Sequence, residues 1–196
     1  MGDSGDGDRL LMREVASGDE IAFSRLVDAH HAVVLNTCYR ILGNREDAED
    51  VALDVLVRAR KSSAGFRGDS KLSTWLYRIS VNLSLNYLRK RRLDRYLGFL
   101  SLSEPAGERA ARGAEAPENS RPDRQFEAGE RSRVLNDALT ALPDNQRAAI
   151  VLHKFEGLSQ DEIAGVLGVT PAAVESLVHR AKQALSKRLL RALGGS

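Results

Sequence analysis

Five side chains on one predicted helix carry the first recognisable chemistry. Along "KLSTWLYRISVNLSLNYLRKRR", from Lys71 to Arg92, the residues Trp75, Arg78, Asn82, Asn86 and Arg89 recur at steps of three and four. That spacing puts them on one helical face. An indole, two guanidiniums and two amides are the groups that stack on unpaired bases and hold the backbone between them. The same helix carries Leu72, Leu76, Ile79, Leu83 and Tyr87 on an apolar stripe and ends in the cationic run Arg89–Arg92. One helix buries one stripe and solvates the rest, so a third kind of surface needs a reason. Just ahead, "FRGDSK" sets Phe66, Arg67, Asp69, Ser70 and Lys71 on a loop that could wall a base pocket. Two readings stand here. Either Trp75 is a stacking platform for single-stranded nucleic acid, or it is a core residue beside a merely solvated Arg/Asn line.

A second pattern has the opposite charge. "REDAEDVALDVLVRAR" clusters Glu46, Asp47, Glu49, Asp50 and Asp54, with Leu53 and Leu56 expected to be exposed beside them. Such a face repels nucleic acid and suits docking to a basic partner protein, although acids near a helix start are also ordinary capping.

The third pattern is "LSQDEIAGVLGVTPAAVESLVHRAKQAL". Ser159 and Glu162 have the spacing of a capping box, and Asp161 adds negative charge to the helix start. Ile163, Ala164 and Leu167 are spaced to face inward. Gly168 suits a left-handed turn, Val169 plugs the angle, Thr170 caps and Pro171 takes the first position of a second helix. Short helix, tight glycine turn and longer helix make a helix-turn-helix. Val174, Leu177 or Val178, Ala181 and Leu185 are expected inside, with Ala172, Glu175, Ser176, His179, Arg180 and Lys182 outside. Short residues at the start allow close approach to a groove, and later cations suit phosphates. A helical hairpin with a charged solvated face is the rival reading. A metal role for His179 lacks a second ligand at suitable spacing.

These motifs need elements to hold them. Asp19 caps a helix to about Ile41, with Ala22, Leu26, Ala29, Val33 and Asn36 expected on its inner face; Gly43 stops it and Asn44 caps the next, which turns Val51, Val55 and Ala59 inward. "SSAGFRGDS" breaks the pattern before the Trp75 helix, which runs to about Leu97. Between residues 101 and 125, "SEPAGERAARGAEAPENSRPDR" has almost nothing large and apolar and reads as linker. Leu135, Leu139 and Leu142 then share a face, and Pro143 opens a further helix. No alternating strand pattern occurs. The expectation is an all-α fold: a disordered tail 1–8, a helical domain 9–97, a flexible linker 98–126, and a helix-turn-helix domain 127–196.

Composition narrows the function classes. The chain has 196 residues and a net charge of only +2, so bulk charge alone does not suggest nucleic acid. The lone Cys38 excludes an internal disulfide and a cysteine-based zinc site, and its apolar setting suggests a small core residue. No apolar run approaches a membrane span, so no membrane insertion is expected and the location reads as cytoplasmic. An enzyme acting on nucleic acid lacks its tools: no clustered histidines, no paired carboxylates in an apolar frame, no phosphate-cradling glycine loop. No catalytic residue, cofactor or metal is expected.

Taken together, "EDAEDVALDVLVRAR", "FRGDSKLSTWLYRISVNLSLNYLRKRR" and "LSQDEIAGVLGVTPAAVESLVHRAK" resemble the two helical domains of extracytoplasmic-function sigma factors of bacterial RNA polymerase. The resemblance covers roughly residues 9–97 and 127–192. It implies promoter recognition, DNA melting and transcription initiation in company with core polymerase. On the first domain it implies capture of an unpaired base of the −10 element by the Phe66–Lys71 loop and Asn82, with Trp75 as the aromatic of that helix. It implies that the face with Asp47, Asp50, Leu53 and Asp54 meets the clamp helices of the largest polymerase subunit. On the second domain it implies −35 reading by Glu175, Ser176, His179 and Arg180 and a contact with the polymerase flap, and it makes an anti-sigma protein an expected partner. Leu53 stands where the family often has Gln, and Glu175 where many members have a cation. A carboxylate can accept from a cytosine amine but repels phosphate, so −35 preference does not transfer. The alternative is a helix-turn-helix regulator that never joins the polymerase.

Overall fold

The computed structural model describes the backbone of residues 3–101 and 124–193, and the side chains of 5–99 and 132–192. Eight α-helices and one 3-10 turn make up the described elements. α1 (Asp3–Ala16), α2 (Glu20–Leu42), α3 (Arg45–Ser62) and α4 (Leu72–Ser101) form the first domain, with the 3-10 turn Ser63–Gly65 after α3. α5 (Arg124–Thr140), α6 (Asp144–Lys154), α7 (Gln160–Leu167) and α8 (Pro171–Leu193) form the second. Among the described residues, no helix is long and apolar enough to cross a membrane.

The caps lie where side-chain chemistry requires them. Asp19 accepts from the backbone N–H of Ile21 at 2.8 Å, and Asn44 from that of Glu46 at 2.8 Å, so each satisfies an N–H that no helical carbonyl can reach. Gly43 ends α2 in the left-handed region at φ 79°, which costs a glycine little.

Several boundaries differ from expectation. Asp3–Asp8 lie in α1, not in a tail: the Asp6 and Asp8 carboxylates sit near the positive end of the helix dipole, and Asp8 has a tertiary partner on α4. α4 runs through Ser101, since elongating a formed helix adds one bond per residue and no proline intervenes before 105. α5 starts at Arg124. The rest of the expected linker, 102–123, and of the tail lies outside the described residues.

The inner face of α2 is also shifted. Ala22, Leu26, Val34, Cys38, Ile41 and Leu42 are buried, whereas Ala29, Val33 and Asn36 are exposed. The buried line advances four residues at a time through the half-buried His30, a polar residue that an apolar scan skips. On α3, Leu56 is 3% exposed and belongs to the core rather than to the acidic face.

The two domains pack against each other. Ile41, Tyr77 and Val81 of the first domain lie in one apolar cluster with Leu139, Ile150, Leu152 and Ile163 of the second. Polar groups complete the joint. The Arg147 guanidinium donates to the Ile41, Thr140 and Leu142 carbonyls, thereby capping the end of α2 across the domain boundary. Asn136 Nδ2 donates to the Gly43 carbonyl at 3.0 Å. Glu156, its side chain only 6% exposed, accepts from Thr37 Oγ1 at 3.0 Å and Arg40 Nη1 at 3.3 Å, and Phe155 lies under the Arg40 guanidinium at 4.5 Å. Burial, and then the nearby Glu156 carboxylate, hold the Tyr77 phenol well above its ordinary range.

Candidate nucleic-acid interface

α4 does carry three surfaces. Leu72 and Leu76 are fully inside the first core, with Ile79, Leu83 and Tyr87 half-buried beside them. A second buried line, Thr74, Tyr77, Val81 and Ser84, faces α2 and the second domain. Arg78, Asn82, Asn86 and Arg89 remain exposed, and Arg89 Nη1 donates to Asn86 Oδ1 at 2.9 Å. Trp75 sits between the two readings of it. It is half-buried against the first core and meets Phe66 edge-to-face, ring centres 5.6 Å apart and planes at 68°. One edge is thus fixed by packing, which preorganises an aromatic platform.

In the loop, Phe66 is half-buried while Arg67, Asp69, Ser70 and Lys71 are exposed. Sequence reasoning missed the residues behind it. Arg9 Nε donates to the Arg67 carbonyl at 3.1 Å, and the Leu72 N–H donates to Asp8 Oδ2 at 3.2 Å. Asp8 was hidden in a segment, 1–8, whose composition reads as disordered, and Arg9 stands at the first position of the expected domain.

The acidic face of α3 divides in two. Asp50, Leu53 and Asp54 are exposed, Leu53 at 63%, with Val57 beside them at 39%. Asp47 instead points across to α4: it accepts from Tyr87 Oη at 2.5 Å and Arg91 Nη1 at 2.6 Å, its side chain 16% exposed. The Asp47 carboxylate in turn raises the Tyr87 phenol above its usual range.

The helix-turn-helix follows its local grammar. Ser159 Oγ accepts from the Glu162 N–H at 3.3 Å, and Glu162 accepts from the Ser159 N–H at 2.9 Å. The Ser159 N–H, and then its hydroxyl at 2.8 Å, donate to the Glu162 carboxylate and lower its pKa. Gly168 turns at φ 66°, and Thr170 Oγ1 accepts from the Ala173 N–H at 3.2 Å ahead of Pro171. Val174, Val178 and Ala181 are buried, so Val178 rather than Leu177 takes the inner position; on α7, Val166 is buried and Leu167 half-buried. Ala172, Glu175, His179, Arg180 and Lys182 are exposed and Ser176 half-buried. His179 Nε2 accepts from the Gln183 amide at 2.9 Å. An open cleft runs along this face, and its wall includes His153 of α6 and Gln160 of α7, neither singled out from sequence.

The two faces meet where α7 lies on α4. Thr74 Oγ1 donates to Glu162 Oε1 at 3.5 Å, and a side chain at Gly165 would touch the Arg78 guanidinium at 3.5 Å. Arg78 therefore borders the second domain at α7, and Arg89 shares a cleft with Pro143, Asp144 and Asn145. Among the described residues, no group of three or more His, Cys, Asp or Glu is placed to hold a metal ion.

Known proteins share this arrangement. Residues 26–93 match the family described as Sigma-70 region 2, and residues 132–185 match Sigma-70, region 4. The ECF RNA polymerase sigma factor SigW of Bacillus subtilis is 33% identical over 180 residues, covering 91% of this chain and 94% of that protein. The RNA polymerase sigma-H factor of Pseudomonas aeruginosa is 32% identical, covering 93% of each. Among solved structures, CnrH in complex with the cytosolic domain of CnrY is 31% identical, covers 93% of this chain and 96% of that one, and superposes with a TM-score of 0.63. The sigma factor RpoE in complex with the anti-sigma factor NepR from Bartonella quintana shares the fold, with 22% identity, coverage of 85% and 96%, and a TM-score of 0.65.

Proposed function

Because the chain belongs to the ECF RNA polymerase sigma factors, we propose a division of labour among its three faces. It is an initiation factor that binds RNA polymerase and directs it to specific promoters. The exposed stripe Arg78, Asn82, Asn86 and Arg89, with Trp75 and the Phe66–Lys71 loop, takes the melted −10 strand. The α8 face from Ala172 to Lys182 reads the −35 duplex, with Thr170 at its head. Asp50, Leu53 and Asp54 dock on a basic surface of the polymerase, and Asp47 holds α3 to α4 behind them. The first domain, α1 to α4, serves −10 recognition and docking, and the second, α5 to α8, serves the −35 element.

The observation that carries this reading is the coexistence of two chemically opposite open faces on one small domain. An acidic, apolar ridge suits protein, and a basic, amide-rich, aromatic stripe suits an unpaired strand. A regulator that binds duplex alone needs neither. The site of action is the cytoplasm, where the polymerase works. On the likeness to CnrH, solved with part of another protein, an anti-sigma protein belongs among the partners.

The test is co-elution with core polymerase followed by run-off transcription on a genomic library. Asp50→Arg with Asp54→Arg should abolish co-elution at moderate salt while helical content is retained, because charge reversal sets like charges against the basic partner. Unchanged co-elution would remove the docking assignment. Duplex binding without polymerase dependence would favour the free-standing regulator.

A further inference from the structure

We propose that Asp8 and Arg9 of α1 are positioning residues for base selection: they brace the Phe66–Lys71 loop from behind. The inference rests on the reading of that loop as the pocket for an unpaired base.

The loop joins the 3-10 turn to the start of α4 and turns its polar side chains outward: Arg67, Asp69, Ser70 and Lys71 are all exposed. Its backbone is held at both ends by turn bonds, Phe66 N–H to the Ser63 carbonyl at 3.0 Å and Trp75 N–H to the Lys71 carbonyl at 3.1 Å. Between those ends the support comes from α1. Arg9 Nε donates to the Arg67 carbonyl at 3.1 Å, and Nη2 reaches the Gly68 carbonyl at 3.5 Å. One planar guanidinium thus spans two successive carbonyls, a geometry a lysine ammonium cannot copy.

Gly68 is shaped for this clamp. Its φ is +74°, and a Cβ there would fall 2.1 Å from Arg9 Nε and 2.8 Å from Arg9 Cγ. The arginine stem therefore lies flat on a backbone that only glycine leaves open. The residue ahead of α4 is Lys71, whose ammonium cannot accept a hydrogen bond. Asp8 supplies the missing acceptor from across the domain, taking the Leu72 N–H at 3.2 Å. Loop shape and helix start are set by adjacent residues of one α1 turn.

A pocket that must distinguish bases gains from being ordered before the base arrives, since ordering it afterwards subtracts from the discrimination. Loss of the brace should therefore flatten base preference more than it lowers overall activity.

The experiment uses the full chain with core polymerase. Transcription is measured on four pre-melted templates that differ only in the base presented to the loop, with thermal unfolding of each variant in parallel. Arg9→Ala should narrow the ratio between best and worst base by roughly three- to tenfold, the worth of one to two hydrogen bonds. Arg9→Lys should restore part of it, and Asp8→Asn should act in the same direction. Gly68→Ala should narrow the ratio in the parent chain and do so less in the Arg9→Ala background, because the clash partner is then gone. Asp69→Ala and Ser70→Ala serve as controls on the underlying reading. If they leave base preference untouched, the loop is not the pocket, and the brace proposal falls with it. If they shift preference while Arg9→Ala does not, the pocket stands and the brace is overturned. An equal loss on all four templates for Arg9→Ala, tracking lowered thermal stability, also overturns it, since α1 would then only hold the domain together.

Discussion

In the helix-turn-helix, the bonds that set the shape join Ser159 to Glu162, Thr170 to Ala173 and Val169 to Ala164, all within five positions. In the loop ahead of α4, the corresponding bonds span 58, 59 and 64 positions. Both segments present polar side chains to solvent, and to both we assign a nucleic-acid task. One is shaped by its own sequence and the other by a helix from the far end of the domain. A duplex reader needs a fixed helix angle, which a capping box, a left-handed glycine and an N-terminal proline can supply locally. A base pocket needs a concave irregular backbone, whose inward carbonyls must find donors elsewhere.

The joint between the domains is where this comparison breaks most sharply. Arg147→Ala strips the donor from three carbonyls, those of Ile41, Thr140 and Leu142. At about 1 kcal/mol for each unpaired group, stability should fall by about 3 kcal/mol, read as a lowered denaturant midpoint with an unchanged slope. A loss below about 1 kcal/mol would mean that water replaces the guanidinium and that the second domain stands on its local bonds alone.

Trp75→Ala tests the non-local region in function. Removing the stacking platform should cost promoter opening roughly 1–3 kcal/mol while duplex binding changes little. Run-off transcription on duplex and pre-melted templates separates the two, and the pre-melted template should rescue the variant in part. Equal losses on both, together with reduced thermal stability, would return Trp75 to the core.

Ser159→Ala probes the local region and should have the smallest effect, about 1 kcal/mol on stability. It should also change pH dependence. Bonds from Ser159 lower the Glu162 pKa in the folded chain, so the unfolded chain binds more protons. The stabilisation is complete above the unfolded carboxylate range and disappears as pH falls through the folded value. The variant keeps the Ser159 N–H bond to the carboxylate and loses the pH-independent bond from the Glu162 N–H, so thermal melts of parent and variant should draw closer at low pH only by the share of the hydroxyl bond to the carboxylate. A constant gap across that range would mean that the Ser159 hydroxyl bond to the Glu162 carboxylate adds nothing.

What could be read without coordinates was whatever neighbours in the chain decide. The caps Asp19, Asn44 and Ser159, the stops Gly43 and Gly168, and the exposed stripe from Arg78 to Arg89 all rest on contacts within one helical turn. So does the outward face of α8. Periodicity was less secure where a helix has more than two neighbours. The inner line of α2 passes through His30, and Leu56 turns inward on a helix that also offers Leu53 to solvent.

The sequence by itself determined that the chain is helical, the capped ends at Asp19, Gly43, Asn44, Ser159 and Gly168, and the chemical character of the exposed faces, because propensity, capping and charge act over three or four residues. Only the tertiary structure decided that α1 continues through Asp8 and Arg9 to grip the loop, that Asp47 turns to Tyr87 and Arg91, and that Glu156 and Arg147 seat the second domain on the first. Those outcomes depend on which buried carbonyls and carboxylates find partners across the fold. A polar group pairs with whatever packing brings within about 3 Å, and no local spacing encodes that distance.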